Sequence, residues 1–243
     1  WAQGIAAGYK FNVEIDEPDV SPLQVQGPDS SKLMKKVFGD WVNDLGFYKF
    51  QQVTHHGIPM IIARMGYSRE LCYEIFLQDR SKGNELWELL WEAGQEFQIS
   101  AGGPNIILRL EGGILSYLAD IDRSNNPYEV GLDWLVDLDQ EDDFIGKEAL
   151  REISLNGPAK KLMGAEIHGD PILDSNADHW PVFIDGKKVG TMNAMAYSPR
   201  FDKNICYIIL DIEYAKINQE IVITSPEKDF IATTVDLPWL ERS

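Results

Sequence analysis

An α+β chain is what the sequence predicts, with helices and strands intermixed up to about residue 156 and strands alone after it. Three observations carry this. Leu86, Trp87, Leu90 and Trp91 recur at the three-to-four spacing of a buried helical stripe. Asn156-Gly157-Pro158 is a strong loop signal. Beyond it, six apolar segments of four to eight residues alternate with turns, a spacing that suggests a small β-barrel or sandwich. The loop is therefore the expected boundary between a mixed region, 1–156, and a strand region, 157–243.

Taken in order, residues 11–15 alternate as a strand does, and 23–26 form a second strand stopped by Gly27-Pro28. Asp29 or Ser30 can cap a helix over 31–38, with Leu33, Met34 and Val37 on one face and Gly39 as its stop. Residues 58–64 and 73–77 read as paired strands, and Ser81 opens the helix that bears the Leu/Trp stripe. The spacing predicts a further helix over 105–117, carrying Arg109 and Glu111. An acidic turn at 139–143 precedes a short helix from Gly146 to about Ile153. The strands of the last region are expected at 162–167, 181–184, 189–195, 205–212, 221–224 and 231–235.

The chain of 243 residues can bury a sizeable core. Its formal charge of -17 argues against nucleic acid, which needs clustered Lys and Arg, and disfavours anionic membrane surfaces. The longest apolar stretch, 58–65, is too short to span a bilayer and contains Pro59 and Arg64. Cys72 and Cys206 have no CxxC spacing, which fits free thiols in a reducing compartment, with one disulfide as the alternative and the cytoplasm as the expected location. His55-His56, His168 and His179 lack metal-ligand spacing, and no metal site is expected. The chain opens on Trp1 inside a patterned segment and reads as the later part of a longer protein.

Glu74 is the first candidate for chemistry. A carboxylate offers two acceptors side by side and can take a pair of adjacent N–H donors at once. On a strand, Tyr73 and Ile75 must face away from it. An exposed strand Glu is the plain alternative. Tyr67 could lay its ring on a ligand or serve as a core aromatic, and Gly66 before it permits a close approach. Arg109 could face a ligand or form an internal ion pair, while Glu111, two residues on, points elsewhere and ties down the scaffold.

In order, three segments decide among these: Gly66-Tyr67-Ser68-Arg69-Glu70-Leu71-Cys72-Tyr73-Glu74-Ile75, Leu108-Arg109-Leu110-Glu111-Gly112-Gly113, and Asn126-Pro127-Tyr128-Glu129-Val130-Gly131-Leu132. Followed by Phe144-Ile145-Gly146-Lys147 and, near the end, Val235-Asp236-Leu237-Pro238-Trp239, they resemble the tetrahydrofolate-dependent family typified by the glycine cleavage T-protein. The family's motif is Gly-Tyr-Thr-Gly-Glu-x-Gly-Tyr-Glu-Ile, so Arg69 and Cys72 stand where it has glycines. Its Leu-Arg-Leu-Glu-Ala-Gly matches with Gly112 for Ala, and its Tyr-Gly-Asn-Asp becomes Tyr117-Leu118-Ala119-Asp120.

The resemblance implies a folate-binding T-protein-like domain, incomplete at its N-terminus, followed by a C-terminal β-barrel. It implies tetrahydrofolate as cofactor, with Tyr67, Glu74, Arg109 and Tyr117 contacting it, and methyl or aminomethyl transfer as the activity. The family's folate-activating Asp lies upstream of the matched segments, so no catalytic residue is assigned. Within the family, Gly103-Pro104-Asn105, Asn125-Asn126-Pro127 and Tyr197-Ser198-Pro199-Arg200-Phe201 lean towards dimethylsulfoniopropionate demethylases, which take a small cationic donor. Tyr67 leans the other way, because those demethylases carry Trp there; a T-protein-like chain would meet a lipoyl carrier protein. Two alternatives follow from the same scaffold: a non-catalytic folate-binding module, or the folate domain of a sarcosine or dimethylglycine dehydrogenase.

Overall fold

Alternation of apolar residues organises the first half of the chain. In the computed structural model, which describes residues 1–103, 105–174 and 178–240, the protein divides into two units, Trp1–Gly103 and Pro104–Ser243. The first holds a four-stranded antiparallel sheet of β1 (Ser21–Gln26), β2 (Phe50–His55), β3 (Ile58–Ala63) and β4 (Cys72–Leu77), in the order β1-β4-β3-β2. Ile58, Met60 and Ile62 of β3 and Tyr73, Ile75 and Leu77 of β4 are buried on one face. There they meet Leu33, Met34 and Phe38 of α2 (Ser30–Phe38) and Leu86 and Leu90 of α3 (Gly83–Gly94) in one core. A short helix, α1 (Ala2–Gly8), begins this unit and buries none of its residues.

Three sequence expectations change here. Residues 11–15 form no strand: among the described residues no strand pairs with them, and Phe11 and Val13 stay 58% and 60% exposed. Strand β2 went unpredicted because Gln51 and Gln52 break its apolar alternation, yet the His56-Gly57 turn closes it onto β3 with both residues at positive φ (50° and 77°), as a tight hairpin needs. The Leu/Trp stripe splits, with Leu86 and Leu90 buried while Trp87 stacks on Trp91 at the helix edge, ring centroids 5.9 Å apart.

The second unit is built on a closed barrel of β5 (Lys160–Ile167), β6 (Trp180–Ile184), β7 (Lys187–Ser198), β8 (Lys203–Asp211), β9 (Glu220–Thr224) and β10 (Asp229–Val235), in the order β10-β5-β8-β7-β6-β9. Of barrel and sandwich, the barrel is what forms. Cys206, Ile208 and Leu210 of β8 share one core with Met163, Val182 and Met192, while Ile205, Tyr207 and Ile209, on the other face, pack with Leu110 of α4 (Ile106–Glu111). Helix α4 is shorter than the predicted 105–117. It ends at Gly112-Gly113, where Gly113 takes φ +69° and a side chain would stand 2.8 Å from Pro238. Helix α5 (Lys147–Asn156) closes at Gly157 with φ +81°, so the Asn156-Gly157-Pro158 signal marks a helix end. Pro104 of the Gly103-Pro104-Asn105 motif lies outside the described residues.

Candidate functional site

Glu74 sits where its strand parity predicts. Tyr73 and Ile75 point into the core, and Glu74 projects from the opposite face of the sheet, half-buried. Register sets its neighbours: Gln24 of β1 lies across from it on one side and Ala63 of β3 on the other. Its carboxylate has no hydrogen bond or ion pair among the described residues, and burial pushes its pKa up. A desolvated carboxylate without a counter-ion is costly unless something supplies donors.

Around it runs a chain of side-chain hydrogen bonds. The Glu70 N–H donates to Ser68 Oγ (3.3 Å), whose hydroxyl donates to Gln26 Oε1 (2.6 Å). Gln24 Nε2 donates to the same Gln26 oxygen (3.3 Å) and to Cys72 Sγ (3.0 Å). Burial pushes the Cys72 thiol up to about 11, with Glu74 adding to the rise against the Gln24 N–H. Cys72 therefore stays protonated and unreactive at neutral pH. Gly66 is pressed against it: a Cβ on Gly66 would stand 2.5 Å from that of Cys72. Arg69, in the position of a motif glycine, keeps a glycine-like φ of +56°. Tyr67 follows Gly66 in this loop and is half-buried.

Arg109 and Tyr117 belong to the second unit, where one carboxylate links them. Asn105 caps α4 by accepting from Ile107 N (2.8 Å) and Leu108 N (3.2 Å). Arg109, only 4% exposed, forms an ion pair with Asp120, donates to Ile114 O (3.2 Å) and lies over the Tyr207 ring (5.8 Å). Of the two readings of Arg109, the internal ion pair is present. The same Asp120 oxygen accepts from Ser116 N (2.6 Å), which shapes the turn bearing Tyr117, itself 56% exposed. Burial pushes the Asp120 carboxyl up, while the Ser116 N–H and the Arg109 guanidinium pull against it. Glu111 does tie down the scaffold: it accepts from Ser198 Oγ of β7 and faces Arg200 Nε at 3.4 Å. Gln24, Cys72 and Asp120 were not among the predicted site residues. Gln24 and Gln26 alternate in the sequence, but their pairing with β4 is visible only in the register.

A helix-backed antiparallel sheet with an unpartnered carboxylate, followed by a closed barrel carrying an ion-paired helix, defines an α+β protein with a C-terminal barrel. Residues 1–140 match the family model described as GCVT N-terminal domain, and 160–241 match the glycine cleavage T-protein C-terminal barrel domain. The chain belongs to the glycine cleavage T-protein family. It is 40% identical over 208 residues to dimethylsulfoniopropionate demethylase DmdA of Ruegeria pomeroyi, covering 86% of this chain and 56% of that protein. It is 31% identical over 230 residues to an aminomethyltransferase of Bacillus cytotoxicus, covering 93% and 61%. The crystal structure of glycine cleavage system aminomethyltransferase T from Bartonella henselae shares the fold, with a TM-score of 0.82 at 21% identity over 98% of this chain and 66% of that one. The chain thus spans 56% to 61% of the length of these curated relatives.

Proposed function

We propose that this chain is the folate-holding portion of a tetrahydrofolate-dependent one-carbon transferase, and that Glu74 carries the cofactor's pterin. The observation behind this reading is the half-buried, unpartnered Glu74 carboxylate on the open face of the sheet. A reduced pterin brings the paired N–H donors that such a group requires. Tyr67, seven residues before it, is the proposed wall of the pocket. Tyr117 is proposed as a second contact, with Arg109 holding the 114–121 turn through Asp120. When bound, tetrahydrofolate would supply the nitrogen that accepts the one-carbon unit. The protein's part is to bind, orient and exclude water.

The 40% identity to the demethylase favours a small cationic methyl donor, in keeping with the acidic charge balance. Tyr67 favours the aminomethyltransferase reading, which would add a lipoyl carrier protein as partner. The names of the relatives support a transferase over a non-catalytic module or a dehydrogenase domain. Asn156–Gly157 is retained as the proposed domain limit, since it separates the two matched models. The buried free thiols of Cys72 and Cys206 support a cytoplasmic location, and among the described residues no helix is long and apolar enough to cross a membrane.

Calorimetric titration of tetrahydrofolate into the chain and its Glu74→Ala variant tests the site. Two charge-assisted hydrogen bonds of about 1.5–3 kcal/mol each predict at least roughly a hundredfold loss of affinity. Unchanged affinity in a variant that melts like the wild type would sink the assignment.

A further inference from the structure

We infer that Gln24 is a second acceptor beside Glu74 and reads a ring N–H that only reduced folates carry. The inference rests on the assignment of Glu74 as the pterin carboxylate and extends it to the oxidation state of the ligand.

The geometry comes from the strand pair. Gln24 and Glu74 are directly opposed in the antiparallel β1–β4 register. Side chains so placed have Cβ atoms about 4.5–5.5 Å apart on one face. The orientation of the Gln24 amide follows from its neighbours. Ser68 Oγ accepts the Glu70 N–H and donates to Gln26, whose facing atom is the amide oxygen. Gln24 must then turn Nε2 towards that oxygen and towards Cys72 Sγ. Its Oε1 is the end left over. Gln24 is exposed and lies directly across from Glu74, so this oxygen is the end available to a ligand on the open face.

The Glu74 carboxylate and Gln24 Oε1 together offer three acceptor oxygens to a ligand on this face. A fully oxidised pterin offers them only its N3–H and 2-amino group. Reduction at the 7,8 position adds the N8–H, two ring atoms beyond N1 and on the amino side. Glu74 can take the first two donors and Gln24 the last. Cys72 contributes by position: its sulfur, where the family motif has glycine, anchors the Gln24 amide nitrogen. Ala63 on the other side of Glu74 offers no polar group.

The test is calorimetric titration of tetrahydrofolate, 7,8-dihydrofolate and folic acid into the wild-type chain, Gln24→Met and Glu74→Gln, with thermal melts of each. Met keeps the length of Gln24 and removes the acceptor. Gln24→Met is expected to weaken tetrahydrofolate and dihydrofolate about three- to tenfold, the range for one neutral hydrogen bond, and to leave folic acid unchanged. Unchanged binding of the reduced ligands, or equal weakening of all three, overturns the inference. Should Gln24→Met fail to fold, Gln24→Leu provides the same test: it also removes the acceptor, so the selective weakening of the reduced ligands must appear there, and its absence overturns the inference. Glu74→Gln separates the two levels. Loss of all three ligands upholds the carboxylate assignment whatever Gln24 does, and retention of all three overturns it. A wild-type chain that binds none of them overturns both.

Discussion

Asp120→Ala should unseat the buried ion pair beneath α4, and its cost can be worked from the contacts. The Asp120 side chain is fully buried and that of Arg109 is 5% exposed, so the variant strands a guanidinium with no counter-ion and almost no water. Removing one partner of such a pair costs about 3–5 kcal/mol. The Ser116 N–H also loses its acceptor, for about 1 kcal/mol more. Arg109 keeps the Ile114 carbonyl and the Tyr207 ring in both proteins, so these contacts leave the difference unchanged. The loss is about 4–6 kcal/mol. At about 2–4 °C per kcal/mol for a chain of this size, Tm should fall by roughly 8–24 °C in differential scanning calorimetry. The double variant Arg109→Met/Asp120→Leu removes both charges and should recover at least half of the loss. An Asp120→Ala protein within about 1 kcal/mol of wild type, by the same conversion, would refute the reasoning.

Two further outcomes follow from packing and burial. Gly66→Ala would drive a methyl group to 2.5 Å from Cys72 Cβ, and overpacking of this kind costs about 1–3 kcal/mol; in a Cys72→Gly background the same change should be close to neutral in urea unfolding. Cys206, fully buried inside the barrel, has its thiol pushed up to about 12 by burial. The unfolded chain loses that proton first, so the stability is intact below about pH 9 and is lost as pH rises towards 12. The loss should be on the order of 4 kcal/mol, and Cys206→Ala should remove that part of the slope in denaturation curves taken across the window.

Much of this was legible in the sequence. Short apolar segments set off by turns located most of the barrel strands, several of which are buried on both faces, as β8 is. Parity alone isolated Glu74 on the side opposite Tyr73 and Ile75. Pairing was not legible. Residues 11–15 alternate as well as 73–77 do, but a strand needs a partner, and nothing in the local pattern says that only the second has one. The reverse happened at β2, where hydrogen bonding to β3 overrides a glutamine-rich sequence. The long helix expected over 105–117 failed at Gly112-Gly113, where the second glycine must make way for Pro238, 125 positions further on. Arg109 was readable as either a ligand contact or an ion-pair partner, since its counter-ion lies on a turn whose shape the sequence does not reveal. The Gln24–Cys72 contact joins residues 48 apart and left no trace in either segment.

The closure of the barrel has a consequence for how copies of this chain can meet. Six strands hydrogen-bonded in a ring leave no unpaired backbone edge, whereas the four-stranded sheet ends at β1 and β2. Strand β1 carries Pro22, which lacks an N–H and interrupts any ladder laid along it. Strand β2 has no such guard. Its run of Gln51, Gln52 and Thr54 supplies polar side chains compatible with a neighbouring strand. Among the described strands, then, backbone-mediated association of two molecules has a single permissive border, and a lysine or proline placed there would be the economical way to keep the protein monodisperse at high concentration.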